Sequence, residues 1–281
     1  MSRQADEAAD PIGAVETGRR QGRAFAALGT GAVVGMLGGL IGLGGAEFRL
    51  PLLIGVFGFV ALQAVILNKA ISLTVVLTAL PARFLGVPFS DVAPHWLIVV
   101  NLLIGSLLGA WLGATWATRM RSATHYRVLA WLLVLIAIVL VANHIGAVPT
   151  MDLPPVLLFI AGVAAGAAIG VVATLMGVAG GELLIPTIVL LYGIDARVAG
   201  SLSIAGSLPT MLVAFARYSQ DSSFAVLGRN RSFVAFMAIG SVAGVIVGGL
   251  MLGRITETVI IPVLAALLLL SAWKVNQHSR E

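Results

Sequence analysis

Of the 281 residues, 59% are of apolar type and only 10% are charged; the mean hydropathy is +1.04, whereas about a quarter of the residues of a soluble domain are charged. That composition excludes a soluble domain and indicates a chain whose main partner is the lipid bilayer. The net charge of +5 comes from basic residues scattered over tails and short connections, the pattern of a chain oriented in a membrane and not of a nucleic-acid surface; with no cysteine, disulfides and thiolate metal sites drop out.

Residues 1–23 are polar and end in Arg19, Arg20 and Arg23. They are expected to form a disordered cytoplasmic tail. The apolar segment behind them runs on into the body of the chain, so a cleaved signal peptide is not expected. Apolar runs then fall at 24–43, 48–58, 60–80, 95–117, 126–147, 155–178, 183–193, 198–216, 231–252 and 258–274. Most can cross about 30 Å of hydrocarbon as helix. Residues 47–58 and 182–193 cannot: at 1.5 Å per residue each reaches only about 18 Å. Both follow directly on a glycine-rich break.

The two breaks are related. Residues 31–75 align on 166–210 without gaps at an offset of 135, with 15 identities. GLGGAEFRLP meets GVAGGELLIP, so that G-x-x-G-x-E-x-x-x-P recurs and Glu47 pairs with Glu182. The chain therefore reads as a duplication, with a first transmembrane repeat over 24–147, a connecting turn over 148–154, a second repeat over 155–274 and a cytoplasmic tail over 275–281. Basic residues orient it. Arg119, Arg121 and Arg127, then Arg217, Arg229 and Arg231, then Lys274 and Arg280, join the N-terminal arginines on the cytoplasmic side only if each half crosses an odd number of times and each short segment folds back beside its predecessor. Arg83 and Arg254 fall on the outer side in this scheme. The expected fold is an all-α membrane protein of about eight transmembrane helices plus two short half-helices, built as two inverted-topology repeats with both termini cytoplasmic.

Glycine and proline interrupt a helix, and backbone freed in hydrocarbon survives only inside protein or beside a cavity. Two breaks at equivalent points of inverted halves would meet inside the molecule, where transporters of this design bind substrate. Each half-helix would present free N–H groups and the positive end of its dipole, a site for an anion. Gly42, Gly44 and Gly45, and Gly177, Gly180 and Gly181, are assigned to these breaks. Gly31, Gly35, Gly105, Gly109, Gly162, Gly166, Gly170, Gly244 and Gly248 are assigned to close helix packing.

Glu47 and Glu182 stand where a carboxylate caps a first turn, or where one titrates during transport; both roles stay open, and a negative carboxylate would repel an anion. Lys69, mid-span, should pair with Glu47 or Glu182 or face the pathway. Arg49 either faces the pathway or snorkels to an interface. Ser72, Ser203 and Ser207 lie on segments facing the proposed site, although serines also satisfy their own helix carbonyls.

The paired breaks, with an alanine-serine helix behind each (AVILNKAISL and VAGSLSIAGSL), resemble the TauE/SafE family of membrane transporters, also described as sulfite exporters. The resemblance covers nearly the whole chain after residue 23 and is concentrated in 39–75 and 174–210. It implies an inner-membrane protein of two inverted halves moving sulfite, organosulfonates or related small carboxylate anions. The family's usual third glycine of the first motif is Ala46 here, Ala179 interrupts the second, and glutamate replaces the common apolar residue in both copies. No cofactor is expected, and nothing matches a phosphate-binding loop that would give direct ATP drive. Proton coupling and oligomerisation are left open. Two other readings stand beside the anion carrier. One is a cation or metal carrier using the paired glutamates; the other is an intramembrane enzyme using them as acid and base, for which neither H-E-x-x-H nor G-x-S-x-G is present.

Overall fold

The computed structural model describes residues 11–40, 44–86, 89–144, 153–251 and 257–278. The described residues form helices and turns, with no strand. The first half contains α1 (Pro11–Leu40), α2 (Ala46–Gly55), α3 (Ala61–Gly86), the single turn α4 (Phe89–Val92), α5 (Trp96–Arg119) and α6 (Ser122–His144). The second contains α7 (Pro155–Met176), α8 (Gly181–Tyr192), α9 (Ala196–Tyr218), the short α10 (Ala225–Arg229), α11 (Arg231–Leu250) and α12 (Glu257–Gln277). Seven helices among the described residues are long and apolar enough to cross a membrane, and α8 is a shorter apolar helix. The tail expected to lack structure over 1–23 is helical from Pro11; proline suits a helix's first turn, and the ladder of the first span extends backward through the polar residues. The C-terminal tail is likewise helical to Gln277.

Glycine sets the ends of the short helices. α7 stops at Gly177, whose φ of 70° is left-handed, with Val178 N–H bonding to Ala173 O at 2.9 Å and Gly177 N–H to Thr174 O at 3.0 Å. This paired pattern closes a helix through a residue that must be glycine or nearly so. α2 starts from Gly45 (φ 71°) and α8 from Gly180 (φ 87°), equivalent residues of the two copies. Gly42, assigned above to the first break, lies outside the described residues.

Two seams of glycine hold the halves together. Gly31 and Gly35 of α1 lie against Met237 and Ser241 of α11, while Gly240, Gly244 and Gly248 of α11 lie against Leu28, Ala32 and Met36 of α1. Gly105 and Gly109 of α5 lie against Val163 and Ala167 of α7, with Gly162, Gly166 and Gly170 packed back on α5. At almost every one of these positions a methyl group would collide with a facing backbone carbonyl. Lipid offers helices no hydrophobic reason to associate, so backbone approach of this kind is what binds them. Residue numbers rise together along both seams, so α1 runs parallel to α11 and α5 parallel to α7.

The halves are inverted. Arg23, early in α1, donates to Phe57 O just beyond α2 at 3.2 Å, so α2 turns back beside α1. Arg23 also lies over the ring of Phe233 at the start of α11. The side chain of Lys274, late in α12, reaches Gly55, and His278 meets the ring of Tyr126 at the start of α6. Arg217, at the end of α9, donates to Thr115 Oγ1 near the end of α5 at 2.9 Å. One face of the molecule thus gathers Arg23, Arg119, Arg121, Arg127, Arg217, Arg229, Arg231 and Lys274. At the opposite face, Asn101, early in α5, bonds to Tyr192 at the end of α8 at 2.7 Å, and both surround Gly162, early in α7. The α1–α2 hairpin therefore enters from the basic face and the α7–α8 hairpin from the other.

Candidate functional site

Asn68 of α3 ties the two breaks together. Its Nδ2 donates to Ala46 O at the start of α2 (2.9 Å) and to Met176 O at the end of α7 (3.1 Å). One amide thus bridges both hairpins.

Around Asn68 the end of α7 is closed by side chains from three other helices. Lys69 Nζ donates to Val178 O (2.6 Å) and Ala173 O (3.1 Å). Tyr218 Oη donates to Thr174 O at 3.0 Å, and Ser72 Oγ is 3.5 Å from Gly177 O. The His125 ring is hydrogen-bonded to Leu175 O. The last carbonyls of a helix have no partner within it, and burying them unpaired costs about 1–3 kcal/mol each. A cation is also well placed at the negative end of the helix dipole. Lys69 is completely buried; its place is against carbonyls, where pairing with Glu47 or Glu182 was one expectation.

Arg49 does not snorkel. It is 0% exposed, and its guanidinium donates to Asn68 Oδ1 at 3.0 Å, Ser241 Oγ at 3.2 Å and Ser72 Oγ at 3.3 Å. An arginine on the first turn of α2 points inward because α3 and α11 supply planar and hydroxyl acceptors at the spacing of its fork.

Among the described residues, the second copy does not repeat these links. Positions equivalent to Arg49, Asn68 and Lys69 are Leu184, Ser203 and Ile204. Ser203 Oγ bonds to Gly200 O at 2.8 Å and Ser207 Oγ to Ile204 O at 3.2 Å, both within α9. Both serines are buried beside the site, yet they serve their own helix.

Glu47 and Glu182 stand in the first turns of α2 and α8, 1% and 7% exposed. The two carboxyl groups lie close enough to act on each other electrostatically. None of their four oxygens has a hydrogen-bond partner among the described residues. Gly44, Gly45, Gly177 and Gly180 take positive φ around this pair, and Gly181 opens α8 facing Ser203.

Sequence reasoning gave no role to Asn68, His125, Tyr218 or Ser241. Asn68 had a signal, being an amide beside a lysine in the middle of an apolar run. The other three lie on distant helices, with no counterpart in the repeat to draw attention to them.

A family model described as sulfite exporter TauE/SafE matches residues 2–140 and, a second time, residues 147–275. No curated protein and no solved structure is a match for the chain.

Proposed function

The chain belongs to the TauE/SafE sulfite exporter family, a family of multi-pass membrane transporters, and on that premise we propose that it is a proton-coupled secondary carrier of a small anion. The solute class is sulfite, an organosulfonate or a related carboxylate. It binds where the first turns of α2 and α8 converge, within reach of Arg49 and Lys69, and Gly42, Gly44, Gly45, Gly177, Gly180, Gly181, Ser72, Ser203 and Ser207 line or shape that place. The repeats over 24–147 and 155–274 rock against each other so that the place opens first to one face and then to the other. The face that gathers the arginines is cytoplasmic, which puts both termini there in a cell or inner membrane.

The observation that carries this reading is the Asn68 amide, which holds the start of α2 and the end of α7 together at 2.9 and 3.1 Å. Broken helices from opposite faces meeting inside a bundle are the arrangement by which carriers bind small ions. Interrupted backbone persists at membrane depth only where protein or a water-lined cavity satisfies it.

The test is counterflow in proteoliposomes. Vesicles loaded with unlabelled sulfite, sulfoacetate, taurine or lactate are diluted into trace labelled solute. Accumulation of label with at least one of these anions, abolished by Arg49→Ala, is the expected result. If no anion accumulates, and none raises the melting temperature of the purified protein, the reading is wrong.

A further inference from the structure

The four carboxylate oxygens of Glu47 and Glu182 are buried with no hydrogen-bond partner among the described residues, and the two carboxyl groups act on each other through space. Two bare carboxylates buried within electrostatic reach of each other repel strongly, so the pair behaves as one unit that keeps one proton. Its remaining negative charge faces a positive surrounding. Arg49 acts on Glu47 and Lys69 on Glu182 through space, while their own donors are committed to Asn68, Ser72, Ser241 and the carbonyls of α7. The two helix starts add roughly half a positive charge each. Among the described residues, the other titratable groups on the helices packed against α2 and α8 point elsewhere. Arg23 and Lys274 lie at the far end of α2, Tyr192 at the far end of α8, and His125 and Tyr218 on α7 carbonyls.

We infer that the Glu47–Glu182 pair is a resident negative charge that fills the anion site, and that one further proton on the pair admits a monovalent anion in its place. This inference rests on the anion-carrier reading above. With one proton, the pair is the counter-charge of Arg49, Lys69 and the two helix starts. When the second proton arrives on the remaining carboxylate, that positive set has no counter-charge, and the solute becomes it. On release the proton leaves the pair to the same side as the anion, and the carboxylate resumes its place. The loaded and empty sites carry the same charge, so transport moves one proton with each monovalent anion and no net charge. The conflict between a carboxylate and an anionic solute is thereby removed, since the two never occupy the site together.

The experiment uses methanesulfonate, whose charge does not change over the working pH range, so any pH effect belongs to the protein. Its affinity for the purified full chain is measured by calorimetry or thermal shift between pH 5 and 8.5. Its uptake into proteoliposomes is followed with an internal pH dye while a potassium ionophore clamps the membrane potential. One proton linked to one anion predicts that Kd rises tenfold per pH unit once the pair has lost its second proton. Uptake should carry one proton per anion and be indifferent to the potential. In Glu47→Gln/Glu182→Gln, the affinity should no longer vary with pH and the proton signal should vanish. A wild-type affinity that is flat with pH, or uptake that moves charge without a proton, overturns the inference and leaves the anion carrier standing. Failure of the wild type to bind methanesulfonate, sulfite or any other anion tested overturns the carrier reading itself. Where the double variant does not fold, the wild-type slope and proton count decide the matter alone.

Discussion

Replacing Asn68 by leucine, which is similar in size and has no polar atoms, tests the joint between the two breaks. The substitution removes two amide–carbonyl bonds, to Ala46 O and Met176 O, and the acceptor for Arg49 Nε. Each buried group left without a partner costs about 1–3 kcal/mol, and a charged one more. Partial relaxation and water access reduce the sum, so a loss of about 3–6 kcal/mol is expected, enough to unfold a marginal membrane protein on extraction. Ser203→Ala is the matched control, because Ser203 is the repeat equivalent and serves only Gly200 O in its own helix. Its loss should be about 1 kcal/mol or less. The assay is the midpoint of unfolding in detergent, by heat or by increasing SDS, read from intrinsic tryptophan fluorescence. Equal small shifts in both variants would refute the idea that Asn68 joins the hairpins.

Three further outcomes are expected. Gly109→Ala or Gly244→Ala should lower the unfolding midpoint by an amount corresponding to about 1–3 kcal/mol or more through collision with the facing helix; Gly228→Ala, with open space around it, should not, and comparable midpoints would deny the seams their role. Lys69→Met, which strands the carbonyl of Val178 and takes one of two donors from that of Ala173, should cost about 1–3 kcal/mol, measured by the same assay, and Lys69→Arg should not restore it, because the guanidinium fork does not fit a pocket built for one ammonium. Because the chain contains no cysteine, a single cysteine at Ser203 or Ser207 can be labelled without background; both sites are buried, so labelling should be slow at rest and faster during turnover, and fast labelling at rest would contradict an enclosed site.

Much of the architecture was legible before coordinates. Proline at the sixth position of both half-helices and glycine before each marked α2 and α8 to within one to three residues, because break chemistry is local. Inversion was legible from the arginines, because orientation depends on counting charges in connections. The small-residue spacing that marks the seams was visible too, though which helix met which was not: α1 with α11 and α5 with α7 is long-range pairing, with no sign in either segment. Arg49 was half misread. A lone arginine near a helix start reads equally well as interfacial, and its acceptor Ser241 lies 192 positions away. Lys69 reads in the sequence as a partner of Glu47 or Glu182 or as a pathway residue; its hydrogen bonds go to backbone carbonyls, which leave no trace in side-chain patterns.

The end of α7 is moored by five foreign side chains, while the matching serines of α9 are turned inward on their own coil. A duplicated gene starts with twin hairpins, and swapping their roles is then free of cost. Here it is not. Were the carrier to alternate as proposed, moorings that differ between the copies would make the populations of its two facings unequal, and the unloaded molecule would wait turned toward one compartment. Gradients would still dictate which way cargo flows, while the affinity met in each compartment would differ.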